Sequence, residues 1–176
     1  AENHLPLAAD HRYDREMDRA TLLIGDMVEA LDASLSDVLV LGMALPHPID
    51  PASGVISTPG LMRGWDGVAI ADSMSERIQL PVFVDTEANL GGLAELRSGA
   101  ARGFTSSVYI RTGYSIGGSL FINGSLYRGG SGRAGEVGHV MIDPHGPLCG
   151  CGNRGCLEVF AGGPALLELF RSDPGI

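Results

Sequence analysis

The chain has 176 residues, of which 44% are hydrophobic and 19% are charged, and its formal net charge at pH 7 is −9. This length and composition predict a globular protein with a substantial core and exclude a disordered chain. The acidic excess argues against direct nucleic-acid binding by these residues, because that binding relies mainly on Lys and Arg. No apolar run reaches the length of a membrane span and the first residues are polar, so we expect a cytoplasmic protein without a signal peptide.

Helices and strands are predicted to alternate along the first half of the chain. In order, the patterns predict a helix over 14–33, a strand within 37–46, an irregular Pro- and Gly-rich stretch over 46–65, a helix within 66–80, a strand at 81–85 and a helix over 86–100. This alternation is typical of α/β proteins and predicts mostly parallel strand pairing. It also places Asp85 and Glu87 at a strand end, where an acid can cap a helix or act as a base.

The second half begins with a predicted strand at 107–111, followed by a Gly-rich turn. Residues 119–127 predict a hairpin with Asn123-Gly124 as its two-residue turn. A last helix is predicted over 157–170, interrupted near Gly162. The exposed amides of Gly113, Gly117 and Gly118 can bind a phosphate, although a plain hairpin turn explains the same residues.

All three cysteines, Cys149, Cys151 and Cys156, lie within eight positions, and His139 precedes the first of them by ten. Three is an odd number, and one glycine between the first two leaves little room for a disulfide. One imidazole and three thiolates form a complete tetrahedral set for structural Zn²⁺, with no position left for a catalytic water. The alternative is a group of buried, reduced cysteines beside a hydrogen-bonded histidine.

Two acidic residues flank these candidate ligands. Glu136 lies three residues before His139 and Glu158 two residues after Cys156, so a loop closed around a metal brings both carboxylates to one corner. Carboxylates accept hydrogen bonds from sugar hydroxyl groups, and the second ring nitrogen of His139 can face the same ligand. Alternatively, Glu136 is a surface acid and Glu158 a helix N-terminal acid favoured by the macrodipole.

The segment "GEVGHVMIDPHGPLCGCGNRGCLE", residues 135–158, resembles the signature of the ROK family of repressors, open reading frames and kinases. The resemblance continues upstream through "INGSLYRG", "VDTEANLGGLAELRSGAARG" and "LGMALPHPIDPASGVI", so it covers essentially the whole chain. It implies an α/β fold of the actin/hexokinase (ribonuclease-H-like) type with two lobes closing on a cleft. Residues 1–100 would form part of the N-terminal lobe, and residues 101–176 part of the C-terminal lobe with its zinc loop.

The resemblance also implies roles for individual residues. The positions of Glu136, His139 and Glu158 match sugar-contacting positions of the family. The zinc ligands of the family match His139, Cys149, Cys151 and Cys156. Thr86 and Glu87 stand where family kinases carry an Asn-Asp pair that contacts the sugar and supplies the catalytic base.

The family contains sugar kinases and sugar-responsive transcription factors, and several departures favour the second group. Glu87 reaches one methylene further than the aspartate base, and a misplacement of about 1 Å can cost on the order of 10²-fold in rate. Bulky Tyr114 stands in the second phosphate loop where a small residue is usual. The Asp-x-Gly-Gly-Thr phosphate loop that opens family kinases does not occur in this chain.

We therefore interpret the chain as the sugar-sensing effector region of a ROK-type regulator. Its expected partners are a sugar or phosphosugar, DNA through a winged helix-turn-helix outside this chain, and a second copy in a homodimer or higher homo-oligomer. The alternative is an ATP-dependent sugar kinase, which would use Mg-ATP, Glu87 as base, and a phosphate loop containing Gly113, Ser115, Gly117 and Gly118. A third possibility is a zinc-stabilised interaction module without a ligand.

Overall fold

The computed structural model describes residues 2, 11–60, 62 and 64–172. The chain divides into two compact units, Ala1–Thr86 and Glu87–Ile176. Both units contain helices and strands, as the sequence predicts for an α/β protein. Over the described part of the chain, every helix is too short or too polar to cross a bilayer.

The first unit consists of two helices and a two-stranded sheet. Its elements are α1 (Tyr13–Glu29), a 3-10 turn (Leu35–Asp37), β1 (Leu41–Leu45), α2 (Ile70–Ile78) and β2 (Val82–Thr86). The strands are parallel, with Leu41 opposite Val82 and Leu45 opposite Thr86. A parallel pair needs a long crossover connection, which residues 46–81 supply.

Helical periodicity explains which side chains of α2 enter the core of the first unit. Ile70, Met74 and Ile78 recur every fourth residue, so they share one face of α2, and all three are buried. Met17 of α1 and Trp65 join the same cluster. The indole N–H of Trp65 donates to a backbone carbonyl at 2.9 Å, so this large side chain is buried without leaving its donor unpaired.

The second unit pairs one long helix with an antiparallel sheet. Its elements are α3 (Glu87–Ser98), β3 (Ser107–Arg111), β4 (Gly117–Ile122), β5 (Ser125–Tyr127), a 3-10 turn (Val137–His139), α4 (Glu158–Ala161) and α5 (Gly163–Ser172). The strand order is β3-β4-β5. The predicted hairpin is confirmed: φ is +53° at Asn123 and +73° at Gly124, as a type I′ turn requires.

The expectation of mostly parallel pairing holds for β1 and β2 but is wrong for β3 and β4, which are antiparallel, as β4 and β5 of the predicted hairpin are. Only residues 112–116 separate β3 from β4, which is too few for a parallel crossover. The first helix is also shorter than predicted and ends at Glu29. The predicted interruption of the last helix is confirmed at Gly162, between α4 and α5.

Helix α3 approaches β4 closely at a glycine. A Cβ atom at Gly92 would lie 2.1 Å from the Ser119 hydroxyl and 2.8 Å from the Phe121 ring. Ser119 and Phe121 are themselves buried, and the Ser119 hydroxyl donates to the Ala88 carbonyl at 3.0 Å. The helix can therefore rest directly on the strand only because position 92 lacks a side chain.

We expect Gly92→Ala to destabilise the second unit by about 1–3 kcal/mol, because the added methyl overpacks a filled core. The matched control is Gly25→Ala in the exposed part of α1, where a Cβ meets nothing within 4 Å. That substitution should be neutral or stabilising by up to about 1 kcal/mol. Urea unfolding followed by circular dichroism measures both, and equal effects of the two substitutions would contradict the packing argument.

Candidate functional site

The three cysteines and His139 come together in the second unit. One ligand atom from each of His139, Cys149, Cys151 and Cys156 lies within 4.8 Å of all the others. Cys149 Sγ is 3.6 Å from His139 Nδ1, and Cys151 Sγ is 3.7 Å from Cys156 Sγ. The three cysteines are not joined in a disulfide.

These distances can be compared with those that a tetrahedral metal requires. With bonds of about 2.3 Å to sulfur and about 2.0–2.1 Å to nitrogen, the ligand atoms of a Zn²⁺ tetrahedron are about 3.5–3.8 Å apart. The Cys149–His139 and Cys151–Cys156 separations fall in that range, and all four ligand atoms lie within 4.8 Å of one another. The donor set, one imidazole and three thiols, is also one that structural zinc sites use. The residues therefore fit a closed zinc site.

The electrostatics of the sulfur cluster also favour a cation. Burial raises the pKa of the Cys156 thiol to about 12, and the neighbouring sulfurs of Cys151 and Cys149 add to the rise. At Cys151, burial also acts to raise the pKa, but hydrogen bonds from Asn153, Cys149 and Cys156 outweigh it and lower the pKa. Burial and its sulfur neighbours therefore favour the protonated thiol at Cys156, whereas a metal-bound cysteine is deprotonated.

Glycine shapes the loop that carries the cysteines. Gly155 has φ +61°, and a Cβ atom there would lie 1.5 Å from the Asp143 carbonyl oxygen, so no other residue fits. Its carbonyl accepts hydrogen bonds from Ile142 N–H at 2.8 Å and Asp143 N–H at 3.2 Å. This contact brings the two ends of the loop side by side and sets Cys156 opposite Met141.

Glu136 lies beside the imidazole of His139. The two residues are at the two ends of a short 3-10 turn, and Glu136 Oε2 is 3.8 Å from His139 Nε2. Because Nδ1 faces Cys149, the Nε2 side of the ring is directed toward the carboxylate. Burial raises the pKa of the Glu136 carboxyl; His139 and Arg133 oppose the rise, and Glu158 adds to it.

Glu158 is the first residue of α4, and its carboxylate forms a hydrogen bond with a segment outside that helix. Glu158 Oε2 accepts a hydrogen bond from the Ile116 N–H at 3.0 Å. A Cβ atom at Gly138, two residues after Glu136, would lie 2.2 Å from the carbonyl oxygen of the same Ile116, so the turn that carries Glu136 and the carboxylate of Glu158 meet at one residue. The structure thus brings together Glu136, His139 and Glu158, three of the five residues predicted to contact a sugar.

The Gly-rich segment forms the connection between β3 and β4. Gly117 and Gly118 are the first residues of β4, and they pair with Arg111 and Ile110 of β3. Gly113 and Ser115 lie in the turn before it, and the Gly113 carbonyl accepts a hydrogen bond from Gly163 at the start of α5, 2.9 Å away. The segment is therefore the turn of an antiparallel hairpin.

Thr86 and Glu87, the other two predicted sugar contacts, lie in different units. Thr86 ends β2, and its N–H donates to the Asp85 carboxylate at 2.8 Å. Glu87 begins α3, and its carboxylate forms an ion pair with the guanidinium of Arg111. This ion pair was not predicted, because 24 positions separate the partners and no local pattern connects them.

Three comparisons with known proteins place the chain in a family. The model of the ROK family matches residues 5–174. The chain is 36% identical over 150 residues to the xylose repressor of Bacillus subtilis, an alignment that covers 85% of this chain and 38% of the repressor. It is 32% identical over 162 residues to the glucokinase of Halalkalibacterium halodurans, covering 88% of this chain and 49% of the glucokinase.

Among solved structures, the chain is similar to a ROK family glucokinase from Streptomyces griseus in complex with glucose and AMPPNP. The TM-score is 0.81 at 28% identity, over 96% of this chain and 53% of that protein. Such neighbours have the actin/hexokinase-like fold, which confirms the predicted fold class. The chain spans less than half the length of the two curated relatives named above. The chain belongs to the ROK family, as its signature between residues 135 and 158 predicts.

Proposed function

We propose that this chain is the sugar-sensing effector region of a ROK-family transcriptional regulator. In this proposal the ligand is a sugar or phosphosugar, and it binds at Glu136, His139 and Glu158. DNA is bound by a winged helix-turn-helix outside these 176 residues. The protein acts in the cytoplasm as a homodimer or higher homo-oligomer.

The observation that carries the proposal is the convergence of three polar groups beside the cysteine cluster. Glu136 Oε2 lies 3.8 Å from Nε2 of His139. Glu158 accepts a hydrogen bond from the N–H of Ile116, whose carbonyl oxygen lies against Gly138, between Glu136 and His139 in the chain. Carboxylates accept hydrogen bonds from hydroxyl groups, and a neutral imidazole that binds a metal through one ring nitrogen donates a hydrogen bond from the other. Closely spaced groups of this kind match the dense hydroxyl groups of a sugar.

In this proposal a structural Zn²⁺ is held by His139, Cys149, Cys151 and Cys156. Four protein ligands leave no open position, so the metal stabilises the loop and takes no part in a reaction. The loop presents Glu136 before its first ligand and Glu158 after its last. Zinc would therefore fix the spacing of the two carboxylates.

A regulator is supported by similarity to the xylose repressor, and the resulting mechanism is a population shift. A sugar that binds one conformation better than another raises the population of that conformation. In a dimeric repressor such a shift changes how two DNA-reading helices are presented to their half-sites.

The second candidate function is an ATP-dependent sugar kinase. The similarity to the Halalkalibacterium halodurans glucokinase, close to that of the repressor, favours it. Glu87 would then be the base, and the turn with Gly113, Ser115, Gly117 and Gly118 would bind phosphate from Mg-ATP. The ion pair of Glu87 with Arg111 weighs against this role, since a base needs a carboxylate free to take a proton.

We expect about one equivalent of zinc per chain in protein purified without chelator. His139→Ala should remove most of it and lower the unfolding temperature, because binding of the metal contributes to the stability of the fold. Elemental analysis and thermal unfolding measure the two effects. His145→Ala is the matched control, since this exposed histidine lies on the same loop and outside the ligand cluster. Equal zinc contents in the two variants, or none in the wild type, would contradict the proposal.

The double substitution Glu136→Ala with Glu158→Ala should weaken sugar binding by at least about tenfold. Each carboxylate would lose hydrogen bonds to the ligand, and charge-assisted bonds contribute about 1.5–3 kcal/mol each. Titration calorimetry with D-xylose, D-glucose and N-acetylglucosamine measures the loss, and zinc content verifies the fold. Glu168→Ala, on an exposed part of α5, should bind as the wild type does. Unchanged affinity in the double variant would exclude this pocket.

Sugar-dependent ADP release from Mg-ATP should be absent. A coupled assay measures it with the sugar that binds best in calorimetry. Turnover comparable to the enzyme median of roughly 10 s⁻¹ would replace the regulator by the kinase. Loss of that turnover in Glu87→Gln would then identify Glu87 as the base.

A further inference from the structure

Arg111 and Glu87 form a half-exposed ion pair at the edge of the second unit. The guanidinium of Arg111, at the end of β3, contacts the carboxylate of Glu87, at the start of α3. Their side chains are 29% and 39% exposed, so both retain surface that a ligand can reach. Ser115 Oγ lies 3.5 Å from the same guanidinium nitrogen.

The ion pair is joined to the proposed sugar site by one short turn. Arg111 begins this turn, and Ile116, at its end, donates its N–H to Glu158. Arg111 is paired with Gly117 across β3 and β4, and Gly117 directly follows Ile116, so the ion pair and the Glu158 contact lie at the same end of this hairpin. Each end of the turn is held by a different glutamate, Glu87 at Arg111 and Glu158 at Ile116.

On the basis of the proposed sugar site, we propose that Arg111 is a further specificity-determining residue, which binds the sugar together with Glu87. A guanidinium only donates hydrogen bonds and a carboxylate only accepts them. The pair therefore presents a donor and an acceptor side by side. Two neighbouring hydroxyl groups of a sugar match this arrangement, because one can accept from Arg111 while the other donates to Glu87.

The charge of the region supports this assignment. In the proposed site, Glu87, Glu136 and Glu158 would contribute three carboxylates to the binding of a free sugar, which carries no charge. Arg111 offsets one of these charges, and its contact with Oε2 of Glu87 restricts the orientation of that carboxylate. Glu87 is thus a hydrogen-bond acceptor of restricted orientation, and protonation of its carboxylate would break the ion pair with Arg111.

The test uses the full chain and the substitutions Arg111→Ala, Arg111→Lys and Glu87→Gln. With D-glucose or D-xylose as the probe in calorimetry, Arg111→Ala should weaken binding by about tenfold. Arg111→Lys should recover only part of the affinity, because an ammonium group lacks the planar fork. Arg97→Ala, at an exposed position of α3, is the control and should bind as the wild type does.

Deoxy sugars separate direct contact from an indirect structural effect. For the one deoxy-D-glucose that lacks the hydroxyl bound by Arg111, Arg111→Ala should cause no further loss. Combining Arg111→Ala with Glu87→Gln should cost less than the sum of the two single effects, because each side chain positions the other as well as binding its own hydroxyl group. Zinc content and unfolding temperature report whether each variant folds, and Arg111→Lys retains the charge if Arg111→Ala does not fold.

Each way in which the proposal can be wrong gives a different set of binding results. The role of Arg111 is overturned if the folded variants Arg111→Ala and Arg111→Lys bind the sugar with wild-type affinity. If substitution of Glu136 and Glu158 still abolishes binding, the proposed function remains intact. An equal loss for every deoxy sugar makes Arg111 structural and also overturns the proposal. A wild-type chain that binds none of the sugars tested overturns the sugar site and this inference together.

Discussion

The close approach of the backbone at Gly155 to Asp143 is the constraint on which the candidate site depends. Because a side chain at position 155 would collide with the Asp143 carbonyl, only glycine lets the loop close on itself. That closure sets Cys156 opposite Met141 and so returns the chain to the neighbourhood of His139. In the folded chain this backbone contact holds together the two segments that carry the four candidate metal ligands.

A second set of glycine contacts fastens the loop to the sheet. A Cβ atom at Gly135 would lie 2.2 Å from the Gly118 carbonyl oxygen, and one at Gly138 would lie 2.2 Å from the Ile116 carbonyl oxygen. Glu136 therefore sits between two glycines that touch the start of β4 and the turn before it. Glu158 reaches the same turn through the Ile116 N–H. The turn thus fixes both carboxylates relative to the sheet.

Features encoded within a few residues were predictable from the sequence. Asn123-Gly124 specifies its own hairpin, and the cysteine spacing predicted a four-residue cluster that the structure brings together. Strand direction was predicted less well: alternation favoured parallel pairing, but the short connection between β3 and β4 leaves only the antiparallel arrangement. The ion pair of Arg111 with Glu87 depends on how α3 packs beside β3, which no local pattern encodes.

In the proposed site, metal binding and sugar binding are linked through one loop. The four candidate ligands lie between Glu136 and Glu158, so the conformation that closes around a metal is also the one that spaces the carboxylates. A metal that favours this conformation raises the affinity for the sugar, and by thermodynamic reciprocity the sugar raises the affinity for the metal by the same factor. A structural metal without an open coordination position can thus influence ligand affinity without contacting the ligand.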